Sequence, residues 1–287
     1  MKKALVIDGN SMVYRMFYAS LNQLEYYKAR NLQPANAIKL FLLVLLKILT
    51  QTKYDYALVA FDHQKKTLRH NEFAEYKAGR KPMPEDLFVQ LPVLKELIED
   101  LGVHVLSMEG IEADDIIGSY AKKNNKNGVE VDIFSSDKDM LQLVNELTVV
   151  NLMKTGISDI RKVSLETFKD NFFGLTPEQV NDFKGIAGDS SDNLMGVKGI
   201  GEVSAVNLLK QWGHLENIFE NIDKLTPSQA AKFSCSKDHA MLCKKLSVID
   251  RNVLDNVNIE YIFNGVNTKA IEKIISKYHF SGFDKYL

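Results

Sequence analysis

Residues 4–8 read Ala4-Leu5-Val6-Ile7-Asp8, four apolar side chains in a row closed by a carboxylate. A short apolar run without polar alternation fits a strand covered on both faces. The pattern recurs in Tyr56-Ala57-Leu58-Val59-Ala60-Phe61, which runs directly into Asp62. It recurs again in Val131-Asp132-Ile133-Phe134-Ser135-Ser136, followed by Asp137 and then Asp139. Helical periodicity falls between these runs, over 35–50, 87–101, 114–124 and near 139–144, with further strands at 103–106, 129–135 and 148–152. Strands alternating with helices predict an α/β fold, a mainly parallel central sheet flanked by helices. The carboxyl ends of parallel strands share one edge, where ligands bind, so Asp8, Asp62, Asp137 and Asp139 are expected on a common rim.

Glu112, Asp114 and Asp115 join this set immediately before a helix. Alone, the Asp114-Asp115 pair is explained as helix capping and dipole compensation, and a lone aspartate after a strand is usually a turn residue. Several carboxylates on one rim are another matter. Like charges so close raise one another's pKa and strain the fold unless a cation neutralises them. The donors are all oxygen, with no His or Cys at ligand spacing, which suits Mg²⁺ or Mn²⁺ rather than zinc. Gly188-Asp189-Ser190-Ser191-Asp192-Asn193 reads alone as a turn, since it lacks the order and distal Glu of an EF-hand. Beside the other carboxylates, Asp189 and Asp192 would complete a second metal position.

Two further stretches carry basic or backbone groups. Residues 63–84 hold Lys65, Lys66, Arg69, Lys77, Arg80 and Lys81 against only Glu72 and Glu75, with too few apolar residues for a core face. That is either an ordinary solvated loop or a mobile basic element beside an active site. Gly196-Val197-Lys198-Gly199-Ile200-Gly201 enters a helix predicted over 202–212. Its GxxGxG spacing is not the dinucleotide fingerprint. A glycine turn leading into a helix can offer backbone N–H groups to a phosphate, with Lys198 supplying charge, as in a helix–hairpin–helix over 185–212. A plain tight turn is the alternative.

The chain has 287 residues, 45% hydrophobic and 25% charged, as in a soluble globular protein. Its longest apolar run, 40–46, is too short to cross a bilayer, and its start lacks the apolar region and cleavage site of a signal peptide. Two cysteines, Cys235 and Cys243, without metal spacing point to a reduced, cytoplasmic setting. A net charge of −1 neither favours nor excludes nucleic acid, because an acidic metal site offsets a basic binding surface. From about residue 164 the chain reads as short helices and turns, opened by Thr176-Pro177-Glu178-Gln179 and Thr226-Pro227-Ser228-Gln229, both capping sequences. The expected division is an α/β core over 1–163, including the basic stretch, and a helical lobe over 164–287.

Taken in order, Val6-Ile7-Asp8-Gly9-Asn10-Ser11, Phe61-Asp62, Tyr76-Lys77-Ala78-Gly79-Arg80, Gly110-Ile111-Glu112-Ala113-Asp114-Asp115, Ser136-Asp137-Lys138-Asp139, the 188–193 loop and the glycine hairpin cover nearly the whole chain. This series resembles the 5′ nuclease domain of bacterial DNA polymerase I and the related flap endonucleases. The resemblance implies a PIN-like core, a helical arch from the basic stretch and a DNA-clamping lobe. It implies two Mg²⁺ ions about 4 Å apart, with Mn²⁺ able to substitute, one activating water and one stabilising the leaving oxygen. Asp8, Asp62, Glu112 and Asp114 would hold the first, with Asp115 nearby. Asp137, Asp139 and Asp192 would hold the second, with Asp189 beside them. Lys77 and Arg80 would act on the scissile phosphate, with Asp115 assisting catalysis. Arg15, Arg69 and Lys81 would hold the backbone, and Tyr76 would stack on a base. The hairpin residues Gly196, Lys198, Gly199 and Gly201 would clamp the duplex, with a K⁺ ion as a further ligand there, although Val203 stands where the resemblance leads one to expect lysine.

The implied activity is a monomeric 5′-3′ exonuclease and flap endonuclease, acting on flaps, nicks and RNA-primed 5′ ends in replication and repair. The full acidic set favours this over a junction-binding protein without catalysis, and the hairpin and arch favour it over a related metal-dependent ribonuclease with a similar acidic core. No polymerase domain follows Leu287, which leaves a free-standing nuclease or a piece of a longer chain.

Overall fold

The computed structural model describes every residue except 31, 64, 66, 156–158, 258 and 259, so the expectation placed on Lys66 lies outside the described residues. Six strands form one sheet: β1 (Lys3–Asp8), β2 (Tyr56–Ala60), β3 (His104–Leu106), β4 (Glu130–Ser135), β5 (Thr148–Thr155) and β6 (Asp159–Val163). Their order is β3-β2-β1-β4-β5-β6. The first five run parallel, as the buried apolar runs imply, whereas β6, which the sequence pattern did not reveal, returns antiparallel along β5.

Alternate residues of the strands feed two separate cores. Ala4, Val6, Leu58, Ala60, Val131 and Ile133 pack on one face with Ile116, Ile117 and Tyr120 of the Ala113–Lys126 helix. Leu5, Ile7, Ala57, Val59 and Phe134 pack on the other with Phe41, Leu42 and Leu45 of the Asn36–Gln51 helix. The period of two along each strand produces this division. The first core continues without a break through Phe183, Leu209 and Phe233, so the helical lobe is seated on that same face.

Several local expectations change. The helix predicted over 87–101 is two helices, Glu85–Phe88 and Leu91–Asp100. Pro92 has no N–H and its ring crowds the carbonyl four residues back, so it starts a helix rather than continuing one. Helices Gly9–Ala19 and Leu21–Lys28 follow β1. The lobe contains a 21-residue helix, Pro227–Ser247, where only short ones were expected. Its mixed periphery gives little apolar periodicity to read, but its start is the expected capping box, Thr226 with Gln229. The 63–84 stretch has one helix among its described residues, Leu68–Glu72, and then a series of turns. It forms a strap lying down on the acidic rim rather than a helical arch.

Candidate active site

The sheet topology gathers the carboxylates. The chain moves from β1 outward to β2 and β3, then crosses back to β4 on the other side of β1, so β1 and β4 flank the switch point of the sheet. Asp8 ends β1 opposite Ala60, and Asp62 follows two residues later. Ile7 is paired with Phe134, and Asp137 follows three residues beyond that. Asp8 also caps the Gly9–Ala19 helix, its Oδ1 accepting from the Ser11 N–H at 2.9 Å, while Oδ2 accepts from the Ser135 hydroxyl at 2.6 Å. Ser135 Oγ in turn accepts from the Asp137 N–H at 2.9 Å. Asp62 Oδ1 accepts from the Ala113 N–H at 2.8 Å, which joins it to the start of the helix bearing Asp114.

A second group forms beside the first. One oxygen from each of Asp139, Asp189 and Asp192 lies within 4.8 Å of the others. Gly188 makes this possible. It adopts φ +80°, and a Cβ there would meet the Gly196 nitrogen at 2.8 Å, so the loop folds tightly against the hairpin and turns Asp189 and Asp192 inward. Asp8, Asp62, Asp114, Asp137, Asp139 and Asp189 line one cleft of about 1320 Å³, lined also by Arg15, Lys77, Arg80 and Lys81.

The electrostatics are those of a site built for cations. Burial, with the charges of Asp137 and Asp62, pushes the Asp8 carboxyl up to about 7. Burial and Asp137 do the same to Asp139, again to about 7. Asp114 is raised by burial and by Asp137, Asp8 and Asp62, and Asp62 is raised chiefly by burial. Cationic side chains occupy the remaining carboxylates. Burial would raise Glu112, but Lys77 Nζ at 2.8 Å and Arg69 Nη1 at 3.1 Å hold it below its usual range. Arg80 Nη2 lies 2.6 Å from Asp192, which also accepts from the Tyr76 hydroxyl at 3.1 Å. The Lys184 ammonium bridges Asp139 and Asp189, the latter at 2.6 Å, and against its burial Asp189 is held down to about 2. An oxygen-only donor set with this excess of negative charge fits hard divalent cations.

Some expected site residues are placed elsewhere. Asp115 turns out of the cleft, taking Arg69 on both oxygens and the Asp250 N–H at 2.8 Å. Arg69, expected to contact DNA, has every guanidinium nitrogen engaged within the protein. Tyr76, expected to stack on a base, is 3% exposed and packs edge-on against His70. Lys77 holds a left-handed φ of +57°, unusual for a side-chain-bearing residue and typical of functional sites. In the hairpin, which follows the Val180–Ala187 helix, Lys198, Gly199 and Gly201 are exposed and Gly196 is half-buried. The Gly199 carbonyl accepts from the Lys232 ammonium at 3.0 Å. Lys184 was missed, because a single lysine on the Val180–Ala187 helix has no sequence signal apart from its position five residues before Asp189.

Comparison with known proteins identifies the family of this chain. Residues 3–172 match the model of the 5′-3′ exonuclease N-terminal resolvase-like domain, and residues 175–270 that of the 5′-3′ exonuclease C-terminal SAM fold. A 5′-3′ exonuclease of Mycoplasma pneumoniae is 40% identical over 97% of this chain and 96% of its own length, and one of Mycoplasma genitalium is 44% identical over 96% of each. DNA polymerase I of Bacillus subtilis is 39% identical over 100% of this chain, which spans 32% of that enzyme. Among solved structures, T5 5′-exonuclease with bound divalent metal (zinc) shares the fold at TM-score 0.69 and 18% identity, covering 99% of this chain and 97% of that one. The catalytic core of Rad2 in complex with DNA substrate shares it at 0.62 and 14%, covering 99% and 90%. Two domain models that together span residues 3–270, and full-length relatives sharing about two residues in five, make this chain a member of the 5′-3′ exonuclease family.

Proposed function

We propose that this nuclease cuts 5′-flapped, nicked and 5′-ended DNA with two Mg²⁺ ions, acting as a monomer in the cytoplasm. The observation that carries this reading is the convergence of Asp139, Asp189 and Asp192 within 4.8 Å, beside Asp8, Asp62, Asp114 and Asp137 in one cleft. Asp8, Asp62, Glu112 and Asp114 would hold the first ion. Asp139, Asp189 and Asp192 would hold the second, and Asp137 lies between the groups, its charge acting on Asp8, Asp114 and Asp139. Such ions supply an activated water and neutralise the leaving oxygen.

The chain's own groups do the rest. Asp115 is a support of this site rather than a ligand, since Arg69 and the Asp250 N–H use both of its oxygens. Lys77 and Arg80 are paired with Glu112 and Asp192. With those carboxylates holding metal, Lys77 and Arg80 would be left to face the scissile phosphate and stabilise its developing charge. Arg15 and Lys81 line the same cleft and hold flanking phosphates. The exposed glycine hairpin with Lys198 holds the duplex away from the cut. The test is cleavage of a labelled 5′ flap, a nicked duplex and a single strand, with and without Mg²⁺. Metal-dependent incision near the flap junction is expected, and no incision of any substrate would leave a DNA-binding protein without catalysis.

A further inference from the structure

Arg69 sits where three parts of the molecule meet. It belongs to the strap, on the Leu68–Glu72 helix. Its Nη1 and Nη2 donate to Asp115 Oδ2 and Oδ1 at 2.8 and 2.7 Å, a bidentate pair on the helix whose first turn carries Asp114. Nε donates to the Leu246 carbonyl at 3.0 Å and Nη2 to the Val248 carbonyl at 2.8 Å, both at the C-terminal end of the Pro227–Ser247 helix. A cation there also meets the negative end of the helix dipole. Nη1 lies 3.1 Å from Glu112. Nearby, Lys245 of the same long helix pairs with Glu72 of the strap at 2.6 Å. Arg69 therefore has no nitrogen to spare for a phosphate, and its side chain is 14% exposed.

The far side of that long helix touches the hairpin. Lys232, on its second turn, donates to the Gly199 carbonyl, and Ser236 Oγ accepts from the Lys198 N–H at 3.4 Å. Lys232 and Ser236 lie 14 and 10 residues before Leu246, so at 1.5 Å per residue the helix spans about 15–21 Å between the hairpin and Arg69. Its N-terminal half is held to the hairpin and its C-terminal end, through Arg69, to Asp115 and Glu112. We infer that Arg69 is a positioning residue that sets the register between the hairpin's hold on the duplex and the phosphate that is cut. This rests on the proposed flap cleavage. A salt bridge serving stability alone would have no need to join these three parts, and a lysine could satisfy only part of the set, because the bidentate fork and the two carbonyl contacts require a guanidinium.

The test uses the full chain and the variants Arg69→Ala, Arg69→Lys and Asp115→Asn, the last of nearly native shape, each checked for folding by circular dichroism. Flap affinity is measured by anisotropy in EDTA across a range of salt, and single-turnover incision is mapped to the nucleotide in Mg²⁺. The expected result is an unchanged salt slope, an incision rate lowered by about 100-fold in Arg69→Ala, and cuts spread over neighbouring phosphates in Arg69→Ala and Asp115→Asn, with partial return of a single site in Arg69→Lys. A salt slope lower by about 0.9 with a single sharp cut would make Arg69 a direct phosphate contact and overturn the inference. An unchanged rate and a sharp cut in Arg69→Ala and Asp115→Asn would overturn it too. A wild type that cuts no flap would refute the proposed function instead, and the salt slope would still decide whether Arg69 touches DNA.

Discussion

The Lys77 ammonium lies 2.8 Å from the Glu112 carboxylate, so a cation proposed for the substrate's phosphate is paired with a carboxylate proposed for the metal. Burial disfavours the Lys77 charge, but Glu112, Asp114 and Asp192 overcome it and raise its pKa, so the pair is ionic at neutral pH. On the proposed reading, Lys77 and a divalent ion would compete for Glu112.

Lys77→Ala should accordingly bind Ca²⁺ several-fold more tightly than the wild type by titration calorimetry, since no ammonium has to be displaced. The same variant should cut a saturating flap about 10²–10³-fold more slowly in a single turnover, the usual cost of losing one electrostatic donor. Weaker Ca²⁺ binding would show that Lys77 supports the site rather than competing for it.

The raised carboxylates set the pH response of the metal-free protein. Asp8 and Asp139 titrate at about 7 in the folded chain but near 4 when unfolded. Between these values the native state holds protons that the unfolded state has lost, so stability falls as pH rises through the window and levels off above 7. Asp189, held at about 2, acts the other way, but its contribution is lost only as pH falls below 4. Calorimetry in EDTA should show the melting temperature declining from pH 5 to pH 8, less steeply in Asp8→Asn. Saturating Mg²⁺ should remove the decline, because the ion binds the deprotonated carboxylates of the folded state alone.

Binding and chemistry should separate cleanly at the second acidic group. Asp137→Asn with Asp139→Asn removes two negative charges that face the phosphate path and frees Lys184 from one of its two partners. Flap affinity in EDTA should be unchanged or slightly tighter, and cleavage in Mg²⁺ should vanish. Cutting by the double variant at the wild-type rate would refute the two-metal assignment.

Gly196 is the most confined position of the hairpin. A Cβ there would lie 2.3 Å from the Ile186 carbonyl oxygen and 2.4 Å from the Gly188 nitrogen, both backbone atoms with no room to yield. Gly196→Ala should cost about 1–3 kcal/mol in urea unfolding, as overpacking does. It should also weaken cleavage by pushing the 188–193 loop, and with it Asp189 and Asp192, out of line. Full stability together with full activity would show that the two turns are not held against each other in solution.

Much of this protein was legible in its sequence because the signals are local. The unbroken apolar runs at Ala4–Ile7 and Tyr56–Phe61 specify buried parallel strands wherever they lie, and a carboxylate placed directly after such a strand is bound for the sheet's carboxyl edge. The capping box at Thr226 and the proline at Pro227 mark a helix start by hydrogen bonding within four residues. The order β3-β2-β1-β4-β5-β6 was not local, and it is that order which sets Asp8 between Asp62 and Asp137 at the switch point. Nor could the sequence tell that Asp115, next to Asp114, faces the other way. Neighbours on a helix point about 100° apart, and only the packed lobe, bringing Arg69 and the Asp250 N–H to that side, decides which of the two enters the cleft. Lys184 joined the site for the same reason, since its charge acquires meaning only when the fold places Asp139, some 45 residues earlier, beside Asp189. Strands, caps and turns were written in neighbouring residues; which charges face one another was decided by long-range packing, because Coulomb energy depends on distance through space and not along the chain.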